Sequence, residues 1–278
     1  MKSIVGRFLR RRTNAMLGAF LVAIFLATAL AGVFFTPHDP VTPNMATRLQ
    51  PPSSEFWFGT DQFGRDVLSR VMVGARESVL ISSIAVFTAL AAGLSIGATV
   101  GFFGGWADRL SVAVLDAVMA FPSLLLALGI MAVVGPSKYG VIVALAVAYT
   151  PAVVRVVRGT VLSLREKEFV DASRALGNSD WYTLARHIVP NVVGPLTVLA
   201  TSLFATALLS ESALSFLGLG VPPPAPTWGG MLADAKQFVS SATWLALFPG
   251  LAISWALLGI NLFGDALRDY FDPRMNAI

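Results

Sequence analysis

Few side chains in this sequence could carry out chemistry. The 278 residues include no cysteine and only two histidines, His38 and His187. A thiolate nucleophile is therefore excluded, and no metal site is expected within this chain. Two carboxylates, Asp116 and Glu211, lie beside long apolar stretches, where an ionisable group is a functional candidate by default. They are distant in sequence and predicted near opposite membrane faces, so they form no acid–base pair, and a structural role for each remains open.

The most organised polar segment is EFVDASRALGNSDWYTLARHIVP, residues 168–190. Helical spacing predicts a first short helix with one apolar face, whose small alanines would let a partner surface approach closely. The residues of this face are Phe169, Ala172, Ala175 and Leu176. Asp171 lies beside this face.

The ends of this first helix also have recognisable chemistry. Gly177 follows the last apolar residue, where a left-handed helix end favours glycine. Asp180 is predicted to cap a second short helix, which is expected to stop at Pro190. The segment therefore predicts two helices joined by a tight turn.

Glycines recur every four residues in one apolar segment. Gly93, Gly97 and Gly101 fall on one stripe of a helix, and Gly105 continues the series. Without side chains on this stripe, another helix backbone can come into contact. The partner helix could belong to this chain or to another subunit.

The elements that must position these residues are apolar helices. Hydrophobic residues make up 55% of the chain and charged residues 13%, a balance typical of a membrane protein. A helix needs about 20 apolar residues to cross the hydrocarbon core. The fold class is thus predicted as an all-α polytopic membrane protein with six transmembrane helices. Their predicted ranges are 15–35, 78–107, 117–137, 139–154, 188–210 and 237–264.

Basic residues are distributed unevenly between the two sides of this arrangement. With the N-terminus inside, 14 lysines and arginines lie in cytoplasmic segments and 6 in external ones, which is the bias seen in membrane proteins. The tails 1–14 and 265–278 and the loop 158–187 are then cytoplasmic. The net charge of +4 follows from this topology, and nucleic acid binding is not expected.

The external loop 36–77 is predicted to end in an amphipathic helix at the membrane interface. From Arg65 onward its apolar residues recur at helical spacing on one side of a helix. Polar residues such as Asp66, Ser69 and Arg70 lie on the other side. The core transmembrane domain is predicted to follow over residues 78–264.

These segments resemble a known family. DASRALG followed by HIVP is similar to the cytoplasmic signature loop of permease subunits of bacterial ATP-binding-cassette importers, with Asp171, Ala172, Ser173, Gly177 and Pro190 in register. The departures are Asp171 for glutamate, Ser173 for alanine, His187 for isoleucine and Val189 for leucine. FGTDQFGRDVLSR, LSFLGLGVPPPAPTWGGML and LFGDALRDYFDPR resemble the second permease subunit of the dipeptide, oligopeptide and nickel branch.

The resemblance implies a type I importer permease fold in the bacterial inner membrane. It also implies partners: a homologous second permease, two ATP-binding subunits, an extracytoplasmic solute-binding protein and membrane lipid. The helix at 168–177 would be the coupling helix that docks on an ATPase; its docking residues would be Phe169, Asp171, Ala172, Ser173, Ala175, Leu176 and Gly177.

The sequence has no Gly-x-x-x-x-Gly-Lys-[Ser/Thr] phosphate loop. ATP and magnesium are therefore expected in partner subunits, with no cofactor bound by this chain and no enzyme activity of its own. Two alternatives remain: a self-sufficient secondary transporter, which would be built on internal repeats, and a polytopic membrane enzyme, for which the catalytic side chains are scarce.

Overall fold

The computed structural model describes residues 2–271 of the protein, including the side chains of residues 13–269. Within these residues the chain forms helices and no strand; one isolated bridge joins Thr60 to Asp66. The α-helices are α1 (Lys2–Phe34), α2 (Val67–Phe103), α3 (Gly105–Met119), α4 (Ser123–Val134), α5 (Lys138–Leu164), α6 (Glu168–Ala175), α7 (Asp180–Thr183), α8 (Val189–Phe216), α9 (Trp228–Ala235) and α10 (Trp244–Phe271).

Five of these helices, α1, α2, α5, α8 and α10, are long and apolar enough to cross a membrane. The prediction of an all-α polytopic membrane protein is confirmed. A sixth crossing exists only if α3 and α4 are counted together as one broken span, because their axes meet at 86°.

The third predicted span, residues 117–137, is wrong as a continuous helix. The chain breaks at residues 120–122, and Pro122 adopts an extended backbone (φ −54°, ψ 131°) before α4. Proline has no amide hydrogen for the helix ladder and also disfavours the helical conformation of the preceding Phe121. Twelve residues of α4 rise about 18 Å, less than the roughly 30 Å hydrocarbon core.

Helix α5 is longer than the predicted range 139–154, since it continues to Leu164. The predicted range covers only the uncharged apolar run, which ends just before Arg155 and Arg158. In the structure both guanidinium groups pair with carboxylates of α3, Asp116 and Asp108. Their charges are thus neutralised beside the helix.

The amphipathic helix predicted to lie at the outer interface and lead into the second span differs from the observed one in its orientation and in its polar side. It is the first part of α2, a single helix of 37 residues that spans about 55 Å and extends beyond the hydrocarbon core. Most of its polar residues do not face solvent: Arg65, Asp66, Ser69 and Arg70 are buried, whereas Arg76 is exposed.

The loop 35–66, named the outer loop after its predicted side, covers those residues and forms hydrogen bonds and ion pairs with them. Asp66 caps α2 by accepting the Ser69 amide at 2.8 Å. Asp61 Oδ2 lies 2.7 Å from Arg65 Nε and 3.4 Å from Arg70 Nε. Arg70 also donates to the carbonyl of Pro40 at 2.9 Å. Helical periodicity could not reveal this, because the partners come from a loop with no regular pattern.

The buried apolar residues form two clusters. One joins α2, α4, α5 and α8. The other joins α1, α9 and α10 to α2 and α8 around the fully enclosed Trp228, whose Nε1 donates to the carbonyl of Val71 at 2.9 Å. Helix α2 contributes to both clusters and so links the two halves of the molecule.

Candidate functional site

Gly177 determines how α6 ends. It has φ +82°, the left-handed conformation that the sequence predicted. Its amide donates to the carbonyl of Arg174 at 2.9 Å, and the amide of Asn178 donates to the carbonyl of Ser173 at 3.2 Å. These two bonds form a Schellman motif, which satisfies carbonyls that the last turn of a helix leaves unpaired.

The inner face of α6 anchors it to the rest of the chain. Val170 and Ser173 are buried, and Ser173 Oγ lies 2.9 Å from Thr183 Oγ1 of α7 and 3.2 Å from Asn178 Nδ2. Ser173 was predicted among the docking residues, but its side chain points inward because it lies one turn after Val170. Its hydroxyl joins α6 to α7 and is closed to a partner.

The outer face of α6 exposes the other predicted docking residues. Phe169 is 40% exposed and Leu176 is 82% exposed. Asp171, Ala172 and Ala175 are exposed as well. An eight-residue helix that is anchored on one side therefore presents two large apolar side chains, with small residues between them, on the other.

The same loop rests on the end of α2. The ring of Trp181 lies 4.8 Å from that of Phe103, and the guanidinium of Arg174 lies 5.4 Å from the centroid of Phe102. Arg165 donates to the carbonyl of Gly101 at 3.0 Å. A displacement of α6 would thus act directly on α2.

The predicted second helix differs from the observed one at both ends. Ser179, not Asp180, is the cap: its hydroxyl accepts the amide of Tyr182 at 3.3 Å. Asp180 instead lies 3.3 Å from Arg174 Nε. The chain does not stop at Pro190, because a π-helical turn, Leu184–Ile188, leads into α8. Pro190 lies in the first turn of α8, where a missing amide hydrogen costs little.

The glycine stripe of α2 contacts α5 of the same chain. A methyl group on Gly97 would lie 2.8 Å from the carbonyl oxygen of Val154, and one on Gly101 would lie 3.2 Å from that of Arg158. A methyl group on Gly93 would overlap the side chain of Val153. The contact predicted for these three glycines thus lies within the chain. Gly105 does not continue the stripe, since it starts α3 and has open space around it.

The two intramembrane carboxylates have different surroundings. Glu211 is fully buried and accepts hydrogen bonds from Ser215 at 2.8 Å and Ser78 at 3.0 Å. Asp116 is exposed and pairs with Arg155 at 2.6 Å. The structure does not bring the two carboxylates together. Across the described residues, no group of three or more histidine, aspartate and glutamate side chains could hold a metal ion.

Comparison with known proteins assigns the chain to a family. Residues 93–277 match the family described as binding-protein-dependent transport system inner membrane component, and residues 3–52 match the N-terminal TM domain of oligopeptide transport permease C. The chain belongs to this permease family.

Relatives of this permease match over nearly its whole length. It is 42% identical to the dipeptide transport system permease protein DppC of Alkalihalophilus pseudofirmus, with 97% of this chain and 88% of the relative covered. It is 44% identical to a putative peptide transport system permease protein of Brucella suis, with 99% and 92% covered. It is 40% identical to the glutathione transport system permease protein GsiD of Escherichia coli, with 98% and 90% covered.

A solved structure supports the fold of the permease. The methionine ABC transporter MetNI in inward-facing conformations matches with a TM-score of 0.59 and 18% identity. The match covers 73% of this chain and 96% of the MetNI chain. The permease is therefore a multi-pass protein of the inner membrane with an importer permease fold.

One contact of the permease was missed by sequence reasoning. Arg158 of α5 binds Asp108 of α3 through two nitrogens, Nε at 2.5 Å and Nη2 at 2.7 Å. Together with the pair of Arg155 and Asp116, it tethers α3, which buries no residue, to α5. The sequence did contain a sign of these ion pairs, because two basic residues of α5 and two acidic residues near the predicted third span could pair.

Proposed function

We propose that this permease subunit forms half of the translocation pathway of an importer for peptides or related small solutes. The names of its relatives support this cargo class, since they specify dipeptides, peptides and glutathione. In this proposal the other half is a homologous permease. A solute-binding protein delivers cargo on the outer side, and two ATP-binding subunits supply the energy.

The exposed face of α6 carries this proposal. Val170 and Ser173 are buried and hold α6 on the rest of the chain. A movement of a docked partner would therefore be passed on to the membrane-spanning helices. The outward Phe169 and Leu176 of α6 offer apolar area that is removed from water when a partner docks, which favours binding. We place the ATPase on this face.

The sequence supports placing ATP hydrolysis in partner subunits, because it contains no phosphate loop. In this proposal the ATP-binding subunits hold ATP and magnesium, and this chain is expected to bind no cofactor. The basic-residue bias supports a cytoplasmic position for α6 and for both termini.

The substitution Ala172→Arg tests the docking role. Ala172 is exposed on the outer face of α6, so the free subunit should tolerate arginine. In the complex the new charge would be desolvated without a partner, at a cost of several kcal/mol. We expect ATP-driven uptake and copurification of the ATPase to be lost while membrane abundance stays normal.

Ala172→Ser is the matched control, because it keeps a small side chain at the same position, and it should transport normally. Normal uptake by Ala172→Arg would contradict the docking role of α6. Uptake by the purified subunit alone in liposomes would instead favour a self-sufficient transporter.

A further inference from the structure

The chain leaves the helical conformation between α3 and α4, at residues 120–122. Helix α4 begins after Pro122 without a side-chain cap, and the first amide groups of a helix have no partner within it. Ala120, Phe121 and Pro122 are all exposed. The break therefore presents backbone groups that the two helices leave unpaired at the surface of the subunit.

Two contacts with α5 give the membrane depth of this break. Beyond the break, a methyl group on Gly140, near the start of α5, would lie 3.2 Å from the side chain of Met131 in α4. Before the break, Asp116 of α3 pairs with Arg155, which lies nine residues before α5 ends at Leu164. Helix α5 has 27 residues and extends about 40 Å, compared with a hydrocarbon core of roughly 30 Å. The break lies between these two contacts and therefore within the core.

An exposed ion pair lies close to the break. Arg155 Nη2 is 2.6 Å from Asp116 Oδ1, and the two side chains are 56% and 60% exposed. Ionisable side chains in membrane-spanning segments almost always face the interior of a bundle or a water-filled cavity. The described residues of this chain do not enclose the pair, so the surface that it faces must be completed by another subunit.

The same two features determine what covers this surface. Lipid is excluded, because non-helical backbone at membrane depth occurs only where it is buried in protein or lines a water-filled cavity. Close packing against another subunit would remove both charges of the ion pair from water, and that desolvation cost can exceed the attraction between the charges. Water can satisfy the backbone groups and the ion pair together.

We propose that the break at residues 120–122 and the Asp116–Arg155 pair line the water-filled pathway through which cargo crosses the membrane. This inference rests on the proposed function, because a second permease subunit must close the pathway on the opposite side. It gives Asp116 a position in the pathway, whereas the enclosed Glu211 has none.

A single cysteine at the break tests the proposal, since the chain contains no other. Ala120→Cys changes an exposed residue by one sulfur atom. Ala23→Cys is the matched control, because Ala23 is also an exposed alanine and lies in the middle of the span Thr13–Phe34. Both variants are assembled into the complete transporter and treated from either membrane face with a methanethiosulfonate reagent that carries a fixed positive charge.

We expect the cysteine at position 120 to react at least about tenfold faster than the one at position 23, because a thiol in apolar surroundings does not form the reactive thiolate. Maleimide labelling after denaturation shows that both cysteines are present. Modification at position 120 should also abolish peptide uptake that the unmodified variant supports, whereas treatment of the control should leave uptake unchanged.

Equal reactivity at the two positions, or no reaction at position 120 from either face, would overturn the proposal. Normal uptake after complete modification at position 120 would overturn it as well, because a bulky charged group would then not obstruct cargo. The failure of the proposed function is a separate result: in that case the unsubstituted transporter imports no peptide, and uptake is measured on it before either variant is treated.

Discussion

Single residues at the α6 turn have separable roles. Gly177 is needed for its backbone conformation alone, because no atom lies within 4 Å of the position its side chain would occupy. In the proposed docking, Ala172 is expected to matter for its small size, whereas Ser173 hydrogen-bonds Thr183 within the loop. The resemblance grouped these residues as one docking set, and the structure divides them by the direction in which each side chain points.

Gly177→Val should impair transport by straining the helix end. A left-handed conformation costs about 1–2 kcal/mol for an ordinary residue, and a β-branched residue is especially unsuited to it. The Schellman bonds would weaken, and α6 would lose its fixed position. ATP-driven uptake is the measurement.

Gly177→Asn is the control for that variant, since asparagine tolerates the left-handed conformation and the space around the position is open. It should retain most of the uptake. Equal loss in both variants would mean that the absence of a side chain matters, and that a partner surface comes close to this glycine.

Glu211 illustrates how burial changes the interpretation of a carboxylate. In the sequence it was a candidate for a functional ionisable group. In the structure it is enclosed, and the hydroxyls of Ser78 and Ser215 occupy its oxygens. Since Ser78 belongs to α2 and Ser215 to α8, Glu211 joins two spans, which favours a structural role.

At the scale of elements, the contact between α2 and α5 determines how the loop at α6 can act. The stripe Gly93, Gly97 and Gly101 lets the two backbones touch, and α5 leads directly into the α6 loop. Because the same loop also rests on Phe102 and Phe103 of α2, α6 is connected to this helix pair along two routes.

Adding methyl groups to the stripe should destabilise the permease to different degrees. Gly93→Ala and Gly97→Ala should lower the melting temperature most, because the new carbon would meet Val153 and the Val154 carbonyl. Gly101→Ala should be milder, since its nearest atom lies 3.2 Å away. Overpacking of this kind typically costs about 1–3 kcal/mol. Thermal unfolding in detergent checks the order.

Gly159→Ala, in α5, is the control for the stripe, because no atom lies within 4 Å of its new methyl group. It should be neutral or slightly stabilising, as alanine favours helices over glycine by about 1 kcal/mol. Equal effects at all four positions would contradict the close contact between α2 and α5.

The predictable part of the fold was the part with a regular pattern. Apolar length placed the five long helices, and glycine spacing identified the close-packed stripe. The 86° bend between α3 and α4 was not foreseen, because the angle depends on what α3 contacts. The burial of Arg65 and Arg70 was missed, since their partners lie in the irregular outer loop.

At the scale of the whole molecule, α2 connects the loop 35–66 at one end of the helix to the α6 loop at the other end. The outer loop is fastened to the start of α2 by Asp66 and Asp61, and the α6 loop rests on its end at Phe102 and Phe103. A change at either side thus acts on the same helix. In the proposed importer, this arrangement would link cargo release at one membrane face to ATP hydrolysis at the other.

The most direct test of this account is a site-specific cross-link from α6. A photoreactive amino acid in place of Leu176, which is 82% exposed, should label the ATP-binding subunit in membranes that contain the assembled transporter. The same residue in place of Val133, 88% exposed on α4, is the control and should not label it. Labelling of the ATP-binding subunit from position 176 alone is the predicted result. Its absence there, in a complex that transports normally, would contradict the assignment of α6 as the docking helix.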